Sequence, residues 1–296
     1  MKKTLSALLK LTRYTEYSYF VLITTLVGVA TARGTFSARL VAVMGVNVLA
    51  ISFAYMFNDL EDAAEDVFST KNCQRNPITT GQITPQTAKL AVMIVGLIAT
   101  VCYAMLGLGP FIFGAGCLIL GFFYSHKTIR LKSIPLINSI TRGLLLAGLP
   151  FLTSYFSFAS AFNRAWCWPF LWLISLTILF RQRSEAGEDG RAGLSRLDPS
   201  ADHFGEKSSN LMMTIVIIVS AATGFVSFFL INLIPSWVTI TVFLLLILML
   251  APPYIRYRRG ETSTGVQGIL FNALERALAM GLMAQFILPW LVRWFS

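Results

Sequence analysis

Nine apolar runs follow one another along this chain of 296 residues, at about 17–32, 39–58, 88–106, 110–124, 136–155, 166–180, 211–234, 237–254 and 268–292. Only short stretches of Gly, Pro or charge separate them, such as residues 107–110, Pro235 and residues 256–261. A spanning helix takes roughly 20 apolar residues, so the runs fill the chain and leave no length for a sizeable soluble domain. Composition agrees: 13% of residues are charged, against roughly 25% in soluble proteins. The expected fold class is all-α, a polytopic membrane helical bundle with about nine transmembrane helices. Residues 1–296 are expected to form a single domain whose cytoplasmic loops span about 59–87, 125–135 and 181–210.

The net charge of +10 would suggest nucleic acid in a soluble protein. Here it has a simpler cause, because Lys and Arg beside membrane spans are retained on the cytoplasmic side. With the N-terminus cytoplasmic, 18 of the 24 basic residues face inward and four (Arg33, Arg39, Arg164, Arg293) face outward. Arg142 and Arg276 fall within spans. The reading is an integral, multi-pass protein of a bacterial or archaeal cytoplasmic membrane, with its N-terminus inside and no nucleic-acid partner. Ala30-Thr31-Ala32 resembles a signal-peptidase site, but a long leader and many following spans favour a retained anchor. The four cysteines have no metal-like or redox-like spacing and read as small core residues.

The acids are concentrated. Of 14, five lie in 59–66 and six in 185–206, each cluster following the cytoplasmic end of a span. If the second span continues as a helix, Asn58, Asp59, Asp62 and Asp66 share one face, and Glu185 and Asp189 are one turn apart. Carboxylates gathered this way need neutralising cations. Two such faces opposed across a bundle suit Mg²⁺, which takes oxygen ligands and is commonly held by carboxylates together with substrate phosphates. The expected substrate is therefore a phosphate ester or diphosphate. Lys71 and Arg75, and the loop bearing Tyr124, Lys127, Arg130 and Lys132, lie at the same level and can hold its oxygens; plain topology-setting charge is the alternative for each. Glu61, Glu65, Glu188 and residues 198–206 read as a solvated face.

Asn58-Asp59-Leu60-Glu61-Asp62-Ala63-Ala64-Glu65-Asp66 resembles the N-D-x-x-D-x-x-x-D signature of the UbiA-type intramembrane prenyltransferases. Arg75-Asn76-Pro77-Ile78-Thr79-Thr80-Gly81-Gln82-Ile83 is similar to the stretch that follows it in that family, with Asn76 interrupting the usual Arg-Pro pair. Tyr124-Ser125 with Arg130-Leu131-Lys132 resembles the family's basic loop, and Glu185-Ala186-Gly187-Glu188-Asp189 with Arg191-Ala192-Gly193 its second acidic motif. The resemblance implies Mg²⁺ held by Asp59, Asp62, Asp66, Glu185 and Asp189. It also implies a prenyl diphosphate bound with help from Asn58, Lys71, Arg75, Tyr124, Lys127, Arg130, Lys132 and Arg181, and a lipophilic acceptor prenylated within the bilayer. Glu185 stands where Asp is commoner, and Arg181 where some members carry a further acid.

Two other classes are weaker. A transporter or cation-binding membrane protein would place acids at mid-membrane, and only Glu275 fits that. A phospholipid synthase using nucleotide-activated alcohols needs an Asp-Gly and Ala-Arg lead-in that Asp62 and Asp66 lack. Arg142, Asn272, Glu275, Arg276 and Gln285 are polar at membrane depth and are candidates for function or for structural pairing.

Overall fold

The computed structural model describes residues 2–188, 206–259 and 266–295, and every regular element among them is helical. The reason is the solvent: in hydrocarbon each backbone N–H and C=O must be paired within the protein, and a helix does this locally. The chain forms α1 (Lys2–Thr12), α2 (Ser18–Thr31), α3 (Ala38–Asp66), the short α4 (Thr70–Arg75), α5 (Pro85–Leu106) and α6 (Leu108–Ser125). Next come α7 (Pro135–Gly143), a π-helical turn at Leu144–Gly148, α8 (Leu149–Phe156) and α9 (Cys167–Glu188). Then follow α10 (Glu206–Phe225) with a second π turn at Val226–Leu230, α11 (Ser236–Arg258) and α12 (Val266–Phe295).

Among the described residues, four helices (α3, α5, α6 and α11) are long and apolar enough to cross a membrane, and shorter apolar stretches lie at Ser18–Thr31, Cys167–Leu179 and Thr214–Leu230. The expected all-helical membrane bundle is what the chain forms; nine spans remains a proposal. Local sequence sets the boundaries. Ser37 caps α3, accepting from Leu40 N, and Thr84 caps α5, accepting from Thr87 N, with Pro85 in the first turn. The hairpin expected at 107–110 is tighter than that: Gly107, at φ +121°, alone turns the chain from α5 into α6.

One fully buried amide joins four helices. Asn47 on α3 donates to Thr25 Oγ1 on α2 (2.9 Å), and to Ser154 Oγ (2.9 Å) and Pro150 O (3.2 Å) on α8. Its Oδ1 accepts from Tyr103 OH on α5 (2.8 Å) and Thr153 Oγ1 on α8 (2.7 Å). Gly114 makes room for this: a Cβ there would lie 2.3 Å from the Tyr103 ring. Tyr103, Phe151 and Leu26 surround the knot in one continuous apolar core.

A smaller apolar cluster of Ala7, Leu11, Met56, Phe57, Ile78 and Ile83 lies beyond it. It fastens α1 and the segment after α4 to the last apolar turns of α3, which sets the frame in which the acidic residues stand.

Asn47→Ala would take the amide partner from Tyr103 OH and Thr25 Oγ1, while Thr153 and Ser154 keep the Pro150 carbonyl, at a cost of about 2 kcal/mol, whereas Tyr103→Phe removes one donor, about 1 kcal/mol. Thermal unfolding in detergent should therefore rank wild type above Tyr103→Phe and that above Asn47→Ala; equal midpoints for the two variants would contradict the hub role.

Candidate active site

With 29 residues at 1.5 Å each, α3 is about 44 Å long, while the hydrocarbon core of a bilayer is about 30 Å thick. The helix therefore carries its polar C-terminal turns out of the apolar layer without unwinding. Asn58, Asp59, Asp62 and Asp66 all lie on this helix, which continues unbroken from the apolar run.

Asp62, Glu65 and Asp66 line an open cleft of about 520 Å³ together with Asn72, Arg130, Lys132 and Ser133. The two cations come from the loop after α6. Arg130 adopts a left-handed conformation, φ +43°, at the head of a 3₁₀ turn, a geometry uncommon for a residue with a side chain. Its guanidinium binds both Glu65 oxygens, one at 2.6 Å, and lies 3.6 Å from Asp62 Oδ1. This fork-on-carboxylate contact raises the Arg130 pKa. The Lys132 ammonium donates to both oxygens of Asp62 and, at 3.1 Å, to Asn58 Oδ1, which also accepts from Ser125 Oγ at 2.9 Å. Carboxylates and cations thus alternate around one mouth.

Asp59 is placed differently from Asp62 and Asp66. It is fully buried and does not line the cleft. Arg13, just after α1, donates to its Oδ1 at 3.4 Å, and Arg75 Nη2 lies 3.6 Å from the same oxygen. Arg13 also forms an ion pair with Glu16 and stacks over the Tyr55 ring at 4.7 Å. Burial works against its charge, but Glu16 and Asp59 outweigh that and raise its pKa. Between residues 59 and 66 a helix rises roughly 10 Å, so the three aspartates meet different partners. Among the described residues no three Asp, Glu, His or Cys side chains gather around one point, and the expected convergence of Asp59 with Asp62 and Asp66 is not seen.

Asn58, Asp62, Asp66, Arg130 and Lys132 are brought together. Arg75 faces Asp59 instead of the cleft. Tyr124 OH donates to Asn138 Oδ1 at 2.9 Å and accepts from Arg142 Nε at 2.7 Å, joining α6 to α7. Lys127 contributes a backbone N–H to Glu61 at 3.2 Å, and its side chain is not among those lining the cleft. The side chains of Lys71, Arg181 and Glu185, and the whole of Asp189, lie outside the described residues. In the sequence Arg13 stands only among the topology-setting charges and Asn76 only as an interruption of a motif, and no local pattern marks Asn72 or Ser133. Glu65 is exposed, as a solvated face requires, and also holds Arg130.

A family model described as the UbiA prenyltransferase family matches residues 21–273. The chain belongs to this family and is a membrane-embedded prenyltransferase. No curated relative matches the sequence. Among solved structures, a UbiA homolog from Archaeoglobus fulgidus bound to GPP and Mg²⁺ is 19% identical, TM-score 0.63, covering 94% of this chain and 98% of its own. A structure concerning digeranylgeranylglyceryl phosphate synthase in membranes is 14% identical, TM-score 0.65, covering 95% and 99%. An apo UbiA homolog from Aeropyrum pernix K1 is 16% identical, TM-score 0.61, covering 91% and 98%. At these identities the likeness is one of fold.

Removing one partner of a buried ion pair leaves the other charge poorly compensated, although Arg75, at 3.6 Å, would stay beside Asp59. Arg13→Ala should lower the unfolding midpoint in detergent, and adding Asp59→Asn should recover part of the loss. A double variant less stable than Arg13→Ala alone would show that the pair does not act as described.

Proposed function

We propose that this protein transfers a prenyl group from a prenyl diphosphate to a lipophilic acceptor, with Mg²⁺ as cofactor, at the cytoplasmic end of a single membrane domain spanning residues 1–296. The observation that carries the reading is the cleft at the end of α3, where Asp62 and Asp66 stand beside Arg130 and Lys132. The GPP and Mg²⁺ of the Archaeoglobus relative are the precedent.

The residues fit the ion. Asp62 and Asp66 offer hard oxygen donors one turn apart, and Mg²⁺ typically takes one or two carboxylates plus phosphate oxygens. Glu185 and Asp189 would supply the opposing pair, as the sequence spacing suggests. When bound, the ion neutralises charge on the departing diphosphate. Lys132 and Arg130 are placed to exchange their carboxylate partners for phosphate oxygens, holding the donor and the leaving group. Asn58 keeps Lys132 within reach of that exchange. Asp59, with Arg13 and Arg75, supports the end of α3 from behind. The allylic carbon–oxygen bond breaks with its electron pair leaving on the diphosphate, the acceptor supplies the pair for the new bond, and the acceptor loses a proton.

The acceptor reaches the site from the lipid phase, and an aromatic compound is the first class to try. The clustering of basic residues with the two acidic segments supports a cytoplasmic site in a bacterial or archaeal membrane.

Membranes containing the protein, given Mg²⁺ and labelled geranyl, farnesyl or geranylgeranyl diphosphate with candidate acceptors, should yield prenylated product and free diphosphate. Chelation should stop the reaction. Asp62→Asn and Asp66→Asn should each abolish it, and wild-type turnover in either variant would refute the metal assignment. Arg130→Ala should weaken donor binding by about tenfold or more, as expected for losing a hydrogen bond to a charged group; unchanged affinity would return Arg130 to a topology role.

A further inference from the structure

Asn76 is fully buried and closes α4. Its Oδ1 accepts from Ile78 N at 3.0 Å, which fixes the orientation of the amide, since only an oxygen can face that N–H. The Nδ2 group therefore points toward α3, donating to Asp66 Oδ2 at 3.0 Å and to the Asp59 carbonyl at 2.7 Å. Both amide hydrogens and the amide oxygen are used. The turn that carries Asn76 is itself fixed: Thr79 Oγ1 donates to Asn76 O at 2.8 Å and to Cys73 O at 2.7 Å.

We infer that Asn76 is a positioning residue for the metal site, holding one oxygen of the Asp66 carboxylate so that the other is presented to the cleft. The inference rests on the reading of Asp66 as a Mg²⁺ ligand. A free carboxylate at a helix end samples several rotations; one oxygen tied to a buried, fully bonded amide removes that freedom before an ion arrives. Outer partners of this kind commonly contribute about 10- to 100-fold in metal affinity. Because the same amide hydrogen-bonds the backbone of Asp59, the rotation of Asp66 is referenced to the helix that carries it.

A merely structural role, fastening α4 to α3, is separable. Serine at position 76 can still accept from Ile78 N in the turn but cannot span to Asp66. The test uses the full chain in detergent or nanodiscs, with Mg²⁺ titrated by calorimetry in the presence of saturating geranyl thiodiphosphate, a slowly reacting donor analogue. Asn76→Ser should raise the Mg²⁺ half-saturation about 10- to 100-fold, with analogue binding restored at high Mg²⁺ and the unfolding midpoint near wild type. Thr79→Val, which loosens the same turn without touching Asp66, should leave the Mg²⁺ titration unchanged. Asn76→Ser within twofold of wild type, or Thr79→Val weakening Mg²⁺ equally, would overturn the inference and leave Asn76 as scaffold. Loss of the fold in both Asn76→Ser and Asn76→Ala would do the same. Failure of the wild type to bind the analogue in a Mg²⁺-dependent way would instead refute the site reading on which the inference stands.

Discussion

The site depends on α3 being longer than the apolar layer it crosses. A helix that stopped at the hydrocarbon boundary would hand its acidic residues to a loop, where their spacing would have no geometric meaning. Because α3 runs from Ala38 to Asp66 without a break, residues three and four apart keep their angular relation outside the membrane. The helix also needs an anchor against rotation and sliding. Asn47 provides it, since a buried amide bonded to α2, α5 and α8 tolerates little displacement before a polar group is stranded in an apolar core. The polar knot in the middle of the bundle and the carboxylates at its end are parts of one rigid element.

Four of the five acidic side chains at that end have a basic or side-chain amide partner. Asp62 has Lys132, Glu65 has Arg130, Asp59 has Arg13 and Arg75, and Asp66 has Asn76. The carboxylates differ in exposure. Asp62 and Glu65 line an open cleft, where their partners can be exchanged for a ligand; Asp59 is fully buried, where exchange would leave a charge in low dielectric. Burial divides a run of similar carboxylates into a mobile set and a fixed set.

Much of this was legible in the sequence. The 3.6-residue period put Asn58, Asp59, Asp62 and Asp66 on one face, and the basic loop at 127–132 was placed at the same level. What the period could not show is the direction each side chain takes within that face. Arg13 is 46 positions from Asp59, and Lys132 is 70 from Asp62, so no local pattern links them. Glu65 is exposed, as a solvated face requires, and its pairing with Arg130 joins residues 65 positions apart. Asn47 stands inside an otherwise apolar run, where a lone amide must be bonded, but its partners lie on other helices and leave no local signal.

The sequence by itself determined the membrane environment, the helical class and the acidic face of α3, because those follow from composition and from repeats along one segment. Only the tertiary structure decided which aspartates meet the cleft, which are locked by Arg13 and Arg75, and that Asn76 reaches Asp66. Those choices depend on contacts between segments far apart in the chain, and such contacts are set by how helices pack around Asn47 and the apolar core, a three-dimensional constraint that leaves no periodic trace in one dimension.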